Sequence, residues 1–284
     1  MSQEKPVVNL SGGMMVFIGA VLWSLNAPMV KYLTIGSLLI CGLRSVIAGI
    51  ALAGFIRPKK LHWNAWMLVY VCCYSMVCLA VIASLAMTSA PIAVGMQYTS
   101  VMWLFLADLV RTRKFVMRKF IPVFIIAVGV VLFMMSGTDQ TSSLGNLIAF
   151  SSGITFALMT VSAKKAAGTN PVGLVSVANF FTGAAVFLLF PWCLKEIPDM
   201  TPVQWLIMLI LGAVQIGGGY AFYNMGVQKV APQKAAIIAL AEMILGPVWV
   251  ALFLKEYPSV IVLTGFIFIL TGMILDAKMN PAEA

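Results

Sequence analysis

Residues 231–257 read APQKAAIIALAEMILGPVWVALFLKEY, and this stretch decides the fold. It opens on Ala-Pro, stays apolar over the width of a bilayer and carries a single carboxylate, Glu242, near its middle. A charged side chain at the bilayer centre costs about 2.5–3.5 kcal/mol on insertion scales, so it rarely faces lipid. Glu242 therefore needs a polar partner, a water-filled cavity or a titrating role inside a helix bundle.

A second stretch, residues 90–115, follows the same plan and reads APIAVGMQYTSVMWLFLADLVRTRKF. Pro91 corresponds to Pro232 and Lys114 to Lys255, both at a spacing of 141 residues. Two such segments half a chain apart indicate an internal repeat, a feature of many secondary transporters.

The composition is that of a membrane protein. Of the 284 residues, 62% are hydrophobic and only 10% are charged, and the mean hydropathy is +1.02. Soluble domains carry about 25% charged residues. The net charge of +9 does not indicate nucleic-acid binding, because the lysines and arginines lie between apolar runs, where they set membrane topology.

The apolar runs predict an all-α polytopic membrane protein, since they are long and lack the strict alternation of barrel strands. The ten predicted transmembrane helices are residues 13–32, 36–56, 65–87, 91–110, 119–136, 144–164, 171–193, 203–226, 232–254 and 258–276. The connections between them are short and leave no room for a separate soluble domain.

Loop charge predicts the orientation. With the N-terminus inside, 14 of the 18 lysines and arginines fall in inner segments and 3 in outer segments. The positive-inside rule then places both termini in the cytoplasm of a multi-pass protein of the cell (inner) membrane. Ten helices divide into halves of five, and an odd number gives the halves opposite orientations. We therefore predict two inverted repeats, residues 1–137 with helices 1–5 and residues 138–284 with helices 6–10.

Several local motifs occur in a defined order. Trp23-Ser24-Leu25-Asn26 is followed by Lys31, Arg44 lies near the outer end of the second helix, and Glu242 is followed by Gly246-Pro247 and Leu254-Lys255-Glu256. In these motifs the chain resembles the ten-helix EamA-type branch of the drug/metabolite transporter superfamily, with its W-G-x-N-x-x-x-x-K opening and E…P…lflgE ending. Lys255 stands where that family usually has glycine.

The resemblance covers nearly the whole chain. It implies two inverted bundles around a central cavity, with alternating access. The substrates of the superfamily range over amino acids, nucleotide sugars, amines and drugs, so the resemblance supports the fold better than the substrate.

Glu242 is the main candidate for a functional role. At ~1.5 Å per residue it lies about 15 Å from Pro232, near the centre of a ~30 Å core. It then lines a cavity as a cation-facing or titratable group. Alternatively, it makes a structural hydrogen bond to a neighbouring helix or pairs with Arg44, which lies about 12 Å below the outer surface. Both interpretations stay open on the sequence alone.

Other polar and aromatic residues at mid-depth are candidates for substrate binding, because transporter sites lie near the midplane where repeats meet. With Glu242, the predicted substrate-binding residues are Trp23, Asn26, Gln97, Tyr98, Ser100, Trp103, Asn179, Gln215, Tyr220, Tyr223 and Asn224. The alternative for each is ordinary polar contact between helices.

Two further features have competing interpretations. Gly217, Gly218 and Gly219 are hinge candidates, with tight helix packing as the alternative. Asp108 lies beside Arg111 and Arg113 and is predicted to be an interfacial ion-pair partner rather than part of a site.

No catalytic, metal-binding or cofactor-binding residues are predicted. The five cysteines and the single histidine, His62, are not spaced like metal ligands, and the sequence contains no P-loop, HExxH or GxSxG motif.

The predicted cavity is rich in aromatic and amide groups with one carboxylate, which suits an organic solute with an amine or an aromatic part. Arg44 also allows a carboxylate, and hence a zwitterionic amino acid. An inorganic anion or a nucleotide sugar would call for several cavity cations.

The predicted function is a secondary transporter of small organic metabolites in the lipid bilayer, an amino-acid or amine exporter working by alternating access. Inward proton movement through Glu242 is a hypothesis for its coupling. An importer or facilitator of a related solute is the first alternative, since nothing in the sequence fixes direction. A membrane enzyme acting on a lipid or sugar, or a scaffold or receptor, are alternatives of other classes. The polar residues at mid-depth of a repeat favour transport.

Overall fold

The computed structural model describes residues 10–56, 64–88, 90–135, 142–166, 170–255, 257 and 259–280, and within them all regular secondary structure is helical. The α-helices are α1 (Gly12–Ser24), α2 (Asn26–Tyr32), α3 (Ser37–Ala53), α4 (Ala65–Met87), α5 (Ala90–Tyr98), α6 (Ser100–Thr112), α7 (Met117–Met135), α8 (Ser143–Lys165), α9 (Pro171–Leu189), α10 (Pro202–Leu209), α11 (Gly219–Val227), α12 (Pro232–Ala239), α13 (Ala241–Leu254) and α14 (Val260–Met279). A 3-10 helix (Pro191–Asp199) follows α9, and a π-helix (Ile210–Gly218) joins α10 to α11.

Eight helical segments of the described chain are long and apolar enough to cross a membrane. They are Gly12–Val30, Ala65–Ser84, Met117–Met135, Ser143–Lys165, Pro171–Leu189, Pro202–Val227, Pro232–Phe253 and Val260–Met279. Ser37–Ala53 is a shorter apolar helix. The prediction of an all-helical, polytopic membrane protein is thus confirmed. The remaining predicted span, residues 91–110, is occupied by α5 and α6, and the count of ten stays a prediction.

Three of the predicted spans are interrupted at a single residue. One interruption, at Leu25, separates α1 from α2, and the other two lie at corresponding positions. α5 and α6 are separated at Thr99, and α12 and α13 at Leu240, a spacing of 141 residues. α6 ends at Arg113 with φ of 54°, and α13 ends at Lys255 with φ of 57°; they are the non-glycine residues of the described chain at positive φ. Because positive φ is uncommon outside glycine, two such helix ends 142 residues apart support the predicted repeat.

The helices pack mainly between the two halves of the chain. α4 packs on α8, α11 on α1, α3 on α9 and α7 on α14. The α7–α14 contact depends on small residues, because a Cβ atom on Gly129 would lie 2.7 Å from the carbonyl oxygen of Gly265. Glycines in facing positions let two helix backbones approach closely in this way.

A buried ion pair joins α12 to α14. Lys234 Nζ donates to Asp276 Oδ2 at 2.9 Å, and the two side chains are 6% and 5% exposed. Asn280 Nδ2 donates to the other carboxylate oxygen of Asp276 at 3.0 Å. The pair fixes the start of α12 against the end of α14.

We expect Asp276→Leu to destabilise the fold by about 3–5 kcal/mol, because it leaves the Lys234 ammonium group buried without its partner. Replacing both residues, as Lys234→Met with Asp276→Leu, should restore most of the lost stability. Thermal unfolding of the purified protein in detergent measures both variants. A double variant as unstable as the single one would show that the loss does not come from an unpaired charge.

Candidate functional site

A small cavity of ≈ 50 Å³ lies between helices of both halves of the chain. We call it the central cavity, and its lining residues are Trp23, Asn26, Arg44, Val77, Cys78, Val81, Gln97, Gln215, Ile216, Tyr220 and Glu242. They come from α1, α2, α3, α4, α5, the π-helix, α11 and α13. Both halves of the chain therefore contribute to one polar space.

Glu242 enters the central cavity from the first turn of α13, directly after the interruption at Leu240. Its carboxylate accepts a hydrogen bond from the hydroxyl of Tyr98, which ends α5 just before the interruption at Thr99 and is 1% exposed. The spans interrupted at Thr99 and at Leu240 thus meet through these side chains. The dipole at the start of α13 also favours a negative charge there.

Arg44 supplies a cation to the same cavity from α3. Its side chain is 4% exposed, and Nη1 donates to Asn26 Oδ1 at 3.1 Å. Within the described residues, Nε has no hydrogen-bond partner. The direct pairing of Arg44 with Glu242, one of the alternatives from the sequence, is not formed: each charge contacts a neutral partner instead.

Further polar atoms around the cavity are unsatisfied. Gln215 is 3% exposed and donates from Nε2 to the carbonyl oxygen of Trp23 at 3.3 Å, while its Oε1 has no partner in the described part of the chain. The same holds for Trp23 Nε1. Because buried polar groups are nearly always hydrogen-bonded, these atoms are available to water or to a bound solute.

The ring of Trp23, in the lining of the central cavity, packs against two tyrosine rings. The ring of Trp23 lies 4.5 Å from that of Tyr220 and 4.9 Å from that of Tyr223, between centroids. Gly219 makes this packing possible, since a Cβ atom there would lie 2.5 Å from Trp23 Nε1. Tight packing therefore accounts for this glycine. Gly217 and Gly218 are the last two residues of the π-helix. A hinge at Gly217, Gly218 and Gly219 stays a prediction.

Besides Tyr98, three more predicted substrate-binding residues lie outside the lining of the central cavity and bond to other helices. Tyr223 shares a 2.7 Å hydrogen bond with Thr160, Asn224 donates to the hydroxyl of Tyr70 at 2.9 Å, and Asn179 accepts from the hydroxyl of Tyr74 at 3.0 Å. These contacts are those of polar residues that hold membrane helices together.

Ser100 and Trp103 also lie outside the lining of the central cavity, although both were predicted to bind substrate. Among the described residues, neither Ser100 Oγ nor Trp103 Nε1 has a hydrogen-bond partner, and the Trp103 ring packs edge-on against Phe150.

Sequence reasoning missed the contribution of α4. Val77, Cys78 and Val81 line the cavity, next to the buried Tyr70 and Tyr74 on the same helix. The three- and four-residue spacing of these positions was the available signal for one helix face. It was overlooked because α4 carries no charged residue.

A second cavity, of ≈ 520 Å³, lies between α6, the start of α7, α8 and the start of α12. We call it the basic vestibule, and its lining residues are Leu104, Ala107, Asp108, Arg111, Lys119, Val161, Lys164, Lys165, Ala231, Pro232 and Gln233. Along the helices, Leu104 follows Gln97 by seven residues and Gln233 precedes Glu242 by nine. The vestibule is therefore about 10–14 Å from the central cavity along the spans interrupted at Thr99 and at Leu240.

The ion-pair prediction for Asp108 is confirmed at the wall of the vestibule, with one partner corrected. Asp108 contacts Arg111 at 3.3 Å and Lys119 at 3.2 Å. Arg113 was considered beside Asp108 in the sequence, but it terminates α6 in the left-handed conformation and is exposed.

In the described residues, no group of three or more His, Cys, Asp or Glu side chains is placed to hold a metal ion.

Comparison with known proteins gives a match to one family and matches to solved structures. Residues 143–276 match the model of the EamA-like transporter family. A solved structure titled only "Crystal structure of protein" is similar in fold, with a TM-score of 0.76 and 15% sequence identity, covering 94% of this chain and 97% of that one. The search of curated proteins gave no match.

Proposed function

We propose that this chain, whose residues 143–276 match the EamA-like transporter family, belongs to the drug/metabolite transporter superfamily and is a secondary transporter of small organic solutes. It is a multi-span membrane protein, and its solute crosses the bilayer by alternating access. In this proposal residues 1–137 and 138–284 are inverted repeats that meet at the central cavity. The pairing of helix interruptions at Thr99 and Leu240 supports that arrangement.

The observation that carries the proposal is the central cavity, where a buried cation and a carboxylate face one space without pairing. Arg44 and Glu242 come from different halves of the chain and lie beside the interrupted spans. Broken helices around charged groups near the midplane are typical of solute sites in secondary transporters. The pair of opposite charges suits a solute with an amine, a carboxylate or both, which favours amines and amino acids.

The sizes of the two cavities support alternating access. At ≈ 50 Å³ the central cavity is large enough for water but not for an organic solute, since solute pockets are usually about 300–1,000 Å³. The basic vestibule, at ≈ 520 Å³, is large enough. The solute-bound form must therefore have a wider central cavity, which requires the surrounding helices to move.

Direction and coupling are the finer parts of the proposal. We propose that the protein lies in the inner membrane with both termini in the cytoplasm, as its loop charges predict. Export driven by inward proton movement through Glu242 follows the hypothesis from the sequence. An importer or facilitator of a related solute is the alternative. A membrane enzyme is disfavoured by the match to a transporter family.

A substrate screen tests the proposed function. We expect at least one amino acid or amine to raise the unfolding temperature, because a ligand at 100 times its Kd stabilises the folded state by about 2.7 kcal/mol. The same compound should show saturable counterflow in proteoliposomes that contain the purified protein. Each amino acid is tested beside its decarboxylated amine and its deaminated acid. A panel in which no member binds or is transported would contradict this substrate class.

A further inference from the structure

The basic vestibule carries positive charge that the described side chains do not balance. Four cationic side chains, from Arg111, Lys119, Lys164 and Lys165, line it together with one carboxylate, from Asp108. Both Arg111 and Lys119 contact that carboxylate, at 3.3 and 3.2 Å. The other two cations, Lys164 and Lys165 of α8, contact other groups.

The partners of these two lysines are neutral. Lys164 Nζ donates to the carbonyl oxygen of Gln228 at 2.6 Å, and Lys165 Nζ lies 3.9 Å from the centroid of the Trp66 ring. Neither lysine forms an ion pair within the part of the chain that the structure describes. An ammonium group has three donors, so both can still bind an anion.

A buried amide in the vestibule also has an unused hydrogen-bonding atom. Gln233 lines the vestibule, is 8% exposed, and its Oε1 has no hydrogen-bond partner among the described residues. The oxygen and nitrogen of an amide are interchangeable in shape, so Gln233 can also present N–H groups to the cavity. Buried polar groups are rarely left unsatisfied, which indicates a ligand or water at this wall.

The rest of the wall is apolar, and the flanking surfaces suit lipid. The apolar lining residues are Leu104, Ala107, Val161, Ala231 and Pro232. On the outside of the same helices, Leu106 and Val110 of α6 are 44% and 76% exposed, and Leu158 of α8 is 48% exposed. Exposed apolar side chains on membrane-spanning helices face lipid chains. The vestibule therefore combines cations, a buried amide and an apolar wall beside the lipid-facing surface.

We infer that the basic vestibule binds an amphipathic anion, with its phosphate or carboxylate head at Lys164 and Lys165 and its apolar body along the Val161 wall. The predicted topology places this end of the bundle at the cytoplasmic leaflet, where anionic phospholipids are concentrated, and basic pockets between membrane helices bind their headgroups. An anionic phospholipid is thus the occupant that the membrane supplies, and a soluble alkyl phosphate has the same chemistry. The inference does not depend on which solute the central cavity carries.

Native mass spectrometry of the delipidated full chain tests this inference, with phosphatidylglycerol or phosphatidylcholine added. We expect phosphatidylglycerol to bind in preference, and Lys164→Gln with Lys165→Gln to weaken its binding about 30-fold, the loss expected for two lysines near a membrane surface. Binding of phosphatidylcholine should not change. The control, Lys114→Gln with Arg118→Gln, removes the same charge from exposed positions outside the vestibule and should keep wild-type binding.

Three results would overturn the inference or part of it. Equal binding of the two lipids, or an equal loss in the lysine variant and its control, would show that no vestibule site exists. Binding of hexyl phosphate that needs Lys164 and Lys165, without binding of phosphatidylglycerol, would overturn the lipid as occupant and keep the anion chemistry. Val161→Trp, which narrows the cavity at unchanged charge, should also weaken phosphatidylglycerol binding. Val161→Trp is the variant that tests the inference if the lysine variant fails to fold.

Discussion

The substitution Arg44→Gln is expected to lower transport of carboxylate-bearing solutes at least about tenfold while leaving thermal stability unchanged or improved. Hydrogen bonds to charged groups contribute about 1.5–3 kcal/mol, which corresponds to about 10–150-fold in binding. Arg44 has an unused donor at Nε and lines the central cavity, so a solute carboxylate is its natural partner. Counterflow in proteoliposomes measures the loss.

Stability separates a functional role of Arg44 from a structural one. A buried charge without a carboxylate partner costs several kcal/mol, so removing it should not lower the unfolding temperature. Arg44→Lys keeps the charge but loses the planar fork, and we expect it to recover only part of the transport. Arg118→Gln, at an exposed position, is the matched control. A fall in unfolding temperature that parallels the loss of transport would identify Arg44 as a structural residue.

The sequence predicted the positions of the helical spans well, because the apolar runs and their boundaries are long and clear. It did not predict where spans are interrupted. At Thr99 the side chain donates to the carbonyl oxygen of Met96 at 2.6 Å, which competes with the backbone hydrogen-bond ladder. Leu240 has no comparable signal, since leucine is a good helix former flanked by alanines. That interruption depends on tertiary packing.

The residues of the candidate site could be predicted only in part, because the packing of the helices decides which side chains reach the cavity. Polar type and depth selected Arg44 and Glu242, and the structure places both in the lining of the central cavity. The same criteria selected Tyr223 and Asn224, which instead bond to neighbouring helices. Each residue turns a helix by about 100°, so the face that a helix presents to the cavity depends on its rotation against its partners. A single sequence does not specify that rotation.

The substitution Glu242→Gln is expected to remove the response of transport to a proton gradient while counterflow of the solute continues. In the proposed cycle the carboxylate takes up and releases the coupling proton, and an amide of the same shape cannot do so. Glutamine can still accept the hydrogen bond from Tyr98, so the contact between the spans interrupted at Thr99 and at Leu240 is retained. The measurement compares solute flux in proteoliposomes with and without an imposed pH gradient.

Two further variants define what the result for Glu242 means. Tyr98→Phe removes the hydroxyl that contacts Glu242 and keeps the carboxylate, so we expect it to retain a response to the gradient at a lower flux. Asp199→Asn makes the same chemical change at an exposed carboxylate outside the central cavity and should behave as wild type. If transport by Glu242→Gln still responded to the gradient, the coupling proton would have to bind another group. In that case we expect Glu242 to bind the amine of the solute, and the same variant should then lose amine binding.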